Sequence, residues 1–224
     1  KKAEEDINRL AFFDPLTSLP NRRLLLDRLQ HALATSARSG RHGAIMFIDL
    51  DNFKRVNDTL GHDAGDELLR IVGARVAACV KLSDTVARLG GDEFVVVLGG
   101  LPGPEPAANA AERILAELAI PLEIRKREFR GTASIGISMF PNDGNTLEEL
   151  LKNADTAMYR AKSEGRGRVA FFEAGMNARA VERWSLETGM HRALQQNHFL
   201  LHFQPQLQLE TGILSGAEAL IRWT

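Results

Sequence analysis

Apolar residues recur at helical spacing through "NRRLLLDRLQHALATSAR", residues 21–38, and "SG" at 39–40 marks the stop. The short apolar run "GAIMFIDLD", 43–51, predicts a central strand buried on both faces until it reaches its acidic end. Two helical segments follow in "FKRVNDTLGHDAGDELLRIVGARVAACV", broken over "TLGHDAG". "TVARL" and "EFVVVL" flank "GGD" as the arms of a hairpin would. "LPGPEP" reads as a connector and "AANAAERILAELA" as an alanine-rich helix. "PLEIRKREFRGTASIGISMF" reads as a second β pair with a charged turn near Arg125–Glu128.

"TLEELLKNADTAMYRAKSEG" opens with a capping box, Thr146 with Glu149 three residues on, and closes at Gly165. "RVAFFE" is a last strand. Helices alternating with paired strands predict an α+β fold, a mixed sheet with flanking helices, and the pattern closes over 12–172. Beyond it, 173–192 reads as a linker helix, and 193–224 as two strands joined at "ETG" that cannot form a complete domain. The opening "KKAEEDINRLAFFD" reads as a helix cut partway, so that 1–11 is expected to be the end of an upstream signalling helix in a longer protein.

Composition narrows the classes. The apolar fraction of 44% is that of a globular protein, and no run of about 18 apolar residues suggests a membrane span. A net charge of −1 argues against a nucleic-acid partner bound through bulk electrostatics. Cys79 is alone, which excludes a disulfide framework and fits a reducing, cytoplasmic compartment; a membrane-anchored parent is compatible with this.

Chemistry is expected where strands end. Asp49 and Asp51 stand at the C-terminal end of the first strand, and Asp92 at the hairpin bend. If the hairpin pairs with that strand, Asp49 and Asp92 converge. Two carboxylates and a strand-end carbonyl such as that of Leu50 then suit Mg2+ or Mn2+. Gly90 and Gly91 would let the backbone approach a base or phosphate. An isolated acidic turn is more often simply solvated. Asp49, Asn57, Asp66 and "AKSEGRGR" falling on connections at one sheet edge weigh against that here. Lys162 and Arg166 flank a helix end, where they could offset its dipole or hold phosphates. Asn57 and Asp66 supply an amide and a carboxylate, the groups needed to read a guanine edge, or else a helix-breaking cap and a first-turn dipole partner.

Four stretches together resemble the GGDEF family of diguanylate cyclases: "DPLTSLPNR" at 14–22, "FIDLDNFKRVNDTLGHDAGDELL" at 47–69, "RLGGDEF" at 88–94 and "YRAKSEGRGR" at 159–168. The resemblance implies a nucleotidyl-cyclase, palm-like fold over 12–172 and GTP as substrate. It implies metal binding by Asp49, the Leu50 carbonyl and Asp92, with Glu93 assisting catalysis. Asn57 and Asp66 would read guanine, His62 would shape the base pocket, and Lys54, Lys162 and Arg166 would contact phosphates. The implied product is cyclic di-GMP, made with release of pyrophosphate by two domains facing each other across a two-fold axis, so a homodimer is expected. The alternative is a GTP-binding regulatory module; a purely structural dimerisation module is a third class.

Two positions depart from the family pattern. Ser18 stands where glycine is usual, which implies strain if that position needs a positive φ. Lys81 replaces the arginine of an RxxD product-inhibition site that ends at Asp84, so feedback through it is expected to be weakened or absent. The tail "HFQPQLQLETGILSGAEALIRW" resembles the opening of an EAL phosphodiesterase domain, with Phe203 at a position where tyrosine is common. By that resemblance Glu218 is a metal ligand, and Gln204 and Arg222 contact the dinucleotide. A TIM-like barrel needs about 250 residues. The stretch is therefore expected to be an incomplete, inactive barrel fragment of a tandem GGDEF–EAL parent that also carries an upstream sensor domain.

Overall fold

A computed structural model of the chain describes residues 10–125, 127–176, 190, 193–194, 196 and 198–223. The chain divides into two compact units, 1–176 and 177–224. In the first, the strands are β1 (His42–Leu50), β2 (Thr85–Gly90), β3 (Glu93–Leu101), β4 (Leu122–Ile124), β5 (Arg127–Phe129), β6 (Ala133–Phe140) and β7 (Val169–Phe171). The helices are α1 (Arg22–Ser39), α2 (Phe53–Leu60), α3 (His62–Ala78), α4 (Glu105–Ala119) and α5 (Leu147–Ser163).

Five strands form one mixed sheet in the order β2-β3-β1-β6-β7. The apolar run of β1 takes the centre, where every residue from Gly43 to Leu50 is buried. It pairs antiparallel with β3 and β6, and β7 lies parallel to β6. Alternation along β1 divides the core. Met46 and Ile48 face Leu68, Val72 and Ile114 of α3 and α4; Ile45 and Phe47 face Leu25, Leu29, Leu150 and Met158 of α1 and α5. The fold is thus the expected α+β sheet with helices on both faces.

Local signals set the helix ends. Asn21 caps α1 by accepting from the Arg23 and Leu24 amides, and Gly40 closes it at φ 66°. The capping box of α5 forms as expected between Thr146 and Glu149. That helix ends at Ser163 with Glu164 as its cap, two residues before the expected stop. The break between α2 and α3 is a single residue, Gly61 at φ 86°, because "HDAG" already belongs to α3. A larger correction concerns 121–140. The charged segment folds on itself as the separate β4–β5 hairpin, and "ASIGISMF", buried at every position, joins the main sheet beside β1. Full burial requires a central place, which a strand tied to "REF" could not occupy.

In the second unit β8 (Phe199–Leu207) and β9 (Leu214–Trp223) form an antiparallel hairpin, with the turn at "ETG". Leu200, Leu201, Phe203, Leu207, Leu214 and Ile221 are all more than half exposed on it. The expected upstream helix falls mainly on 1–9 and most of the linker helix on 177–189, outside the described residues. Among the described residues no helix is long and apolar enough to cross a membrane.

Candidate active site at one end of the sheet

The register of β1 against β3 sets Asp49 directly opposite Glu93, with Asp92 in the turn before it. Opposed residues share a face, so both acidic side chains lie on the side covered by α5. Asp49 is buried. That burial pushes its carboxyl above the usual range; the hydrogen bond from Lys162 opposes the shift, and the Asp92 and Asp51 charges add to it. Glu93 is likewise raised, first by burial and then by the negative charges of Asp155, Asp49 and Asp92. Both shifts arise first from burial, and the Lys162 ammonium is the cation that offsets the cluster in this structure. Among the described residues no group of three His, Cys, Asp or Glu side chains could enclose a metal. The carboxylates of Asp49 and Asp92 are hard oxygen donors, the type that suits Mg2+ or Mn2+, which keeps most of its shell for water and phosphate oxygens.

The side chain of Lys162 reaches back from the end of α5 to Asp49, 2.6 Å between Nζ and Oδ1. Its position therefore has more to do with the acidic cluster than with the helix dipole. The reach depends on Gly136 of β6, where an added Cβ would stand 2.0 Å from the Ala154 carbonyl oxygen and 2.1 Å from the Met158 nitrogen. Helix α5 thus lies with its backbone against the sheet. Arg166 follows in the left-handed region at φ 63° and is exposed, as are Lys54 on α2 and His62 at the start of α3. Gly91 adopts φ 49° and Gly90 φ 147°, so the tight turn before Asp92 is one that favours glycine.

Asn57 on α2 and Asp66 on α3 are half-buried. The Asn57 Oδ1 is buried without a hydrogen-bond partner. A buried unpaired acceptor is unfavourable unless something else supplies a donor.

Two braces at this end were not legible in the sequence pattern. Arg88 donates from Nη1 to both Asp14 oxygens, at 3.0 and 2.9 Å, and from Nε and Nη2 to the Gly91 carbonyl, at 3.1 and 2.7 Å. It ties the 14–22 loop to the turn that carries Asp92. Ser18 in that loop adopts φ 59°, the strained conformation expected of it, worth about 1 kcal/mol. Asp51 forms the second brace. Its oxygens accept from the Thr132 and Ser134 hydroxyls and the Gly167 amide, which fixes the loop after α5. The signals were present as single polar residues at strand ends, but their partners lie 74 to 116 residues away.

At "KLSD", Asp84 accepts from the Lys81 backbone amide at 2.9 Å, which closes a local turn; the Lys81 side chain is exposed. In the second unit Gln204 stands opposite Glu218, and Arg222 lies four residues on along β9, so register puts all three on one hairpin face.

The family model described as "Diguanylate cyclase, GGDEF domain" matches residues 11–168. The chain is 46% identical over 222 residues to the bifunctional diguanylate cyclase/cyclic di-GMP phosphodiesterase MucR of Pseudomonas aeruginosa, covering 99% of this chain and 32% of MucR. It is 39% identical over 221 residues to the cyclic di-GMP phosphodiesterase NbdA of the same organism, covering 99% of this chain and 28% of NbdA. The chain thus spans about a third of the length of these curated relatives. Among solved structures, the coiled coil and GGDEF domain of DgcB from Caulobacter crescentus, in complex with c-di-GMP, is 29% identical with a TM-score of 0.69, covering 76% of this chain and 90% of that one.

Proposed function

Because the chain belongs to the GGDEF diguanylate cyclase domain family, we propose that residues 12–172 bind GTP and, as a two-fold pair, join two GTP into cyclic di-GMP. The 3′-hydroxyl of one GTP attacks the α-phosphorus of the other, its proton is lost to a base, and pyrophosphate leaves. Repetition in the opposite sense closes the ring and releases a second pyrophosphate. The observation that carries the reading is the facing of Asp49 and Glu93 beside Asp92, with Lys162 ion-paired at the same sheet end.

In this reading Asp49, Asp92 and the Leu50 carbonyl hold the divalent cation, which when bound offsets phosphate charge. Glu93 assists at the attacking hydroxyl. Lys54, Lys162 and Arg166 take phosphates, and the Gly90–Gly91 turn leaves room for the nucleotide. Asn57 and Asp66 read the guanine edge, and His62 shapes the pocket. The unpartnered Asn57 Oδ1 supports that assignment, since a guanine N–H would satisfy it. Residues 193–224 contribute Gln204, Glu218 and Arg222 to part of an EAL phosphodiesterase site. Lys81 leaves product inhibition through Asp84 weakened.

A second reading has the domain bind GTP without turnover and regulate a phosphodiesterase, and the similarity to NbdA, named as one, favours it. Incubation with GTP and Mg2+ separates the two. Synthesis predicts cyclic di-GMP from the parent and a loss of at least about 100-fold in Asp92→Ala with its fold retained. Binding without product would establish the regulatory reading instead.

A further inference from the structure

Gly65 is buried four residues into α3, without the positive φ that would call for glycine. Alanine is the better helix former at such a position, so local stability does not explain the glycine either. Space does. A Cβ on Gly65 would stand 2.0 Å from the Asn57 Oδ1, 3.0 Å from its Cγ and 3.2 Å from the Phe53 Cζ. The amide of Asn57 therefore occupies the volume that any other residue at 65 would fill.

The contacts are with side-chain atoms, and the nearest is the tip of one that can turn away. Gly136 is the contrasting case, because there the neighbours are the backbone of α5. A methyl group at 65 would displace the Asn57 amide while leaving both helices in place. The displaced atom is the same Oδ1 that is buried without a partner. An acceptor kept in that state by the absence of a neighbouring side chain is left with an unmet hydrogen bond.

We propose that Gly65 is a positioning residue for nucleotide selectivity, holding the Asn57 amide where it accepts a hydrogen bond from a guanine N–H. The inference rests on the reading of Asn57 as a guanine-contacting residue and assigns Gly65 the task of orienting it. Adenine offers no ring N–H on the corresponding edge, and hypoxanthine lacks the 2-amino group, so the base series reads the contacts of Asn57 and Asp66 together. The Asn57→Ala variant isolates the share of the amide.

The test is equilibrium titration of the 224-residue chain, with Mg2+, using α,β-methylene GTP and its inosine and adenosine counterparts. The parent, Gly65→Ala, Asn57→Ala and the double variant are compared, and thermal midpoints are recorded for each. Gly65→Ala is expected to lose about tenfold in affinity for the guanosine analogue, the scale of one buried hydrogen bond, and none for the adenosine analogue. Its thermal midpoint should equal or exceed the parent's. The double variant should bind no more weakly than Asn57→Ala, because both changes remove one interaction. Parental selectivity in Gly65→Ala would overturn the inference while leaving the guanine reading intact. A fall in its thermal midpoint would also overturn it, since the methyl would then be displacing backbone. A parent that binds all three analogues equally would overturn the guanine reading and this inference with it.

Discussion

The β2–β3 hairpin and the β8–β9 hairpin share antiparallel pairing and meet opposite surroundings. In the first, Phe94 is fully buried, and the arms press Val86 and Val96 against one helical layer and Val95 and Val97 against the other. In the second, Phe203 is 67% exposed and apolar side chains stand uncovered along both strands. The acidic turn of the first is clasped by Arg88, whereas Gln204, Glu218 and Arg222 of the second share a face but are all exposed. Residue types that suit a site are present in both hairpins. Only the first is embedded in a core that fixes where its carboxylates point.

The largest effect expected from this contrast is at Gly136. Alanine there meets the backbone of α5 on both sides and should destabilise the first unit by about 4 kcal/mol, read from urea denaturation followed by circular dichroism. A change under about 1 kcal/mol would mean that α5 can lift from the sheet freely, and that Lys162 is not held at Asp49 by this contact.

Arg88→Ala comes next. The ion pair with Asp14 is only 10% and 14% exposed, and its removal strands a carboxylate and frees the turn at Gly91. A loss of about 3 kcal/mol is expected in the same measurement. A near-neutral variant would show that the turn is held by its strands alone.

The same pair has a pH signature. Burial raises the Asp14 carboxyl, but hydrogen bonds from Thr17 and Arg88 outweigh it and hold the group below its ordinary value. A depressed folded pKa contributes stability that is fully present above the unfolded value, about 4, and is lost as pH falls through the folded one. The stability difference between the parent and Asp14→Asn should therefore be constant near neutrality and shrink below about pH 4. Thermal midpoints across that range check it; a difference that grows on acidification would contradict the arrangement.

The smallest effect is the counterpart of the first. Gly216 of β9 has open surroundings, with the Gln206 Oε1 at 3.5 Å as the nearest atom to an added Cβ. Gly216→Ala should change stability by no more than about 0.5 kcal/mol. A large loss would show that the hairpin is packed more tightly than its exposure implies.

Much of the fold was legible because its signals are local. The buried run of β1, the Asn21 and Thr146 caps and the alternation in β2 and β3 each carry their own periodicity or stop residue. The carboxylate cluster followed from one condition, the pairing of that hairpin with β1, which the register satisfies. Legibility failed where two segments compete for a place in the sheet. The short β5 strand and β6 are separated only by a few residues, and no pattern within them says which one sits beside β1. The braces of Arg88 and Asp51 were hidden for a related reason. A single arginine or aspartate has no period, and its role exists only once the chain returns with a partner. Gly65 is the extreme case, since its contribution is a missing side chain.

The central claim is that the acidic end of the sheet joins two GTP molecules. Its most direct test is the stoichiometry of the reaction with GTP and Mg2+, with pyrophosphate and cyclic di-GMP quantified in the same sample. Synthesis predicts two pyrophosphates for each cyclic dinucleotide and neither product from Asp92→Ala. GTP bound with no pyrophosphate released, or pyrophosphate released without a cyclic product, would contradict it.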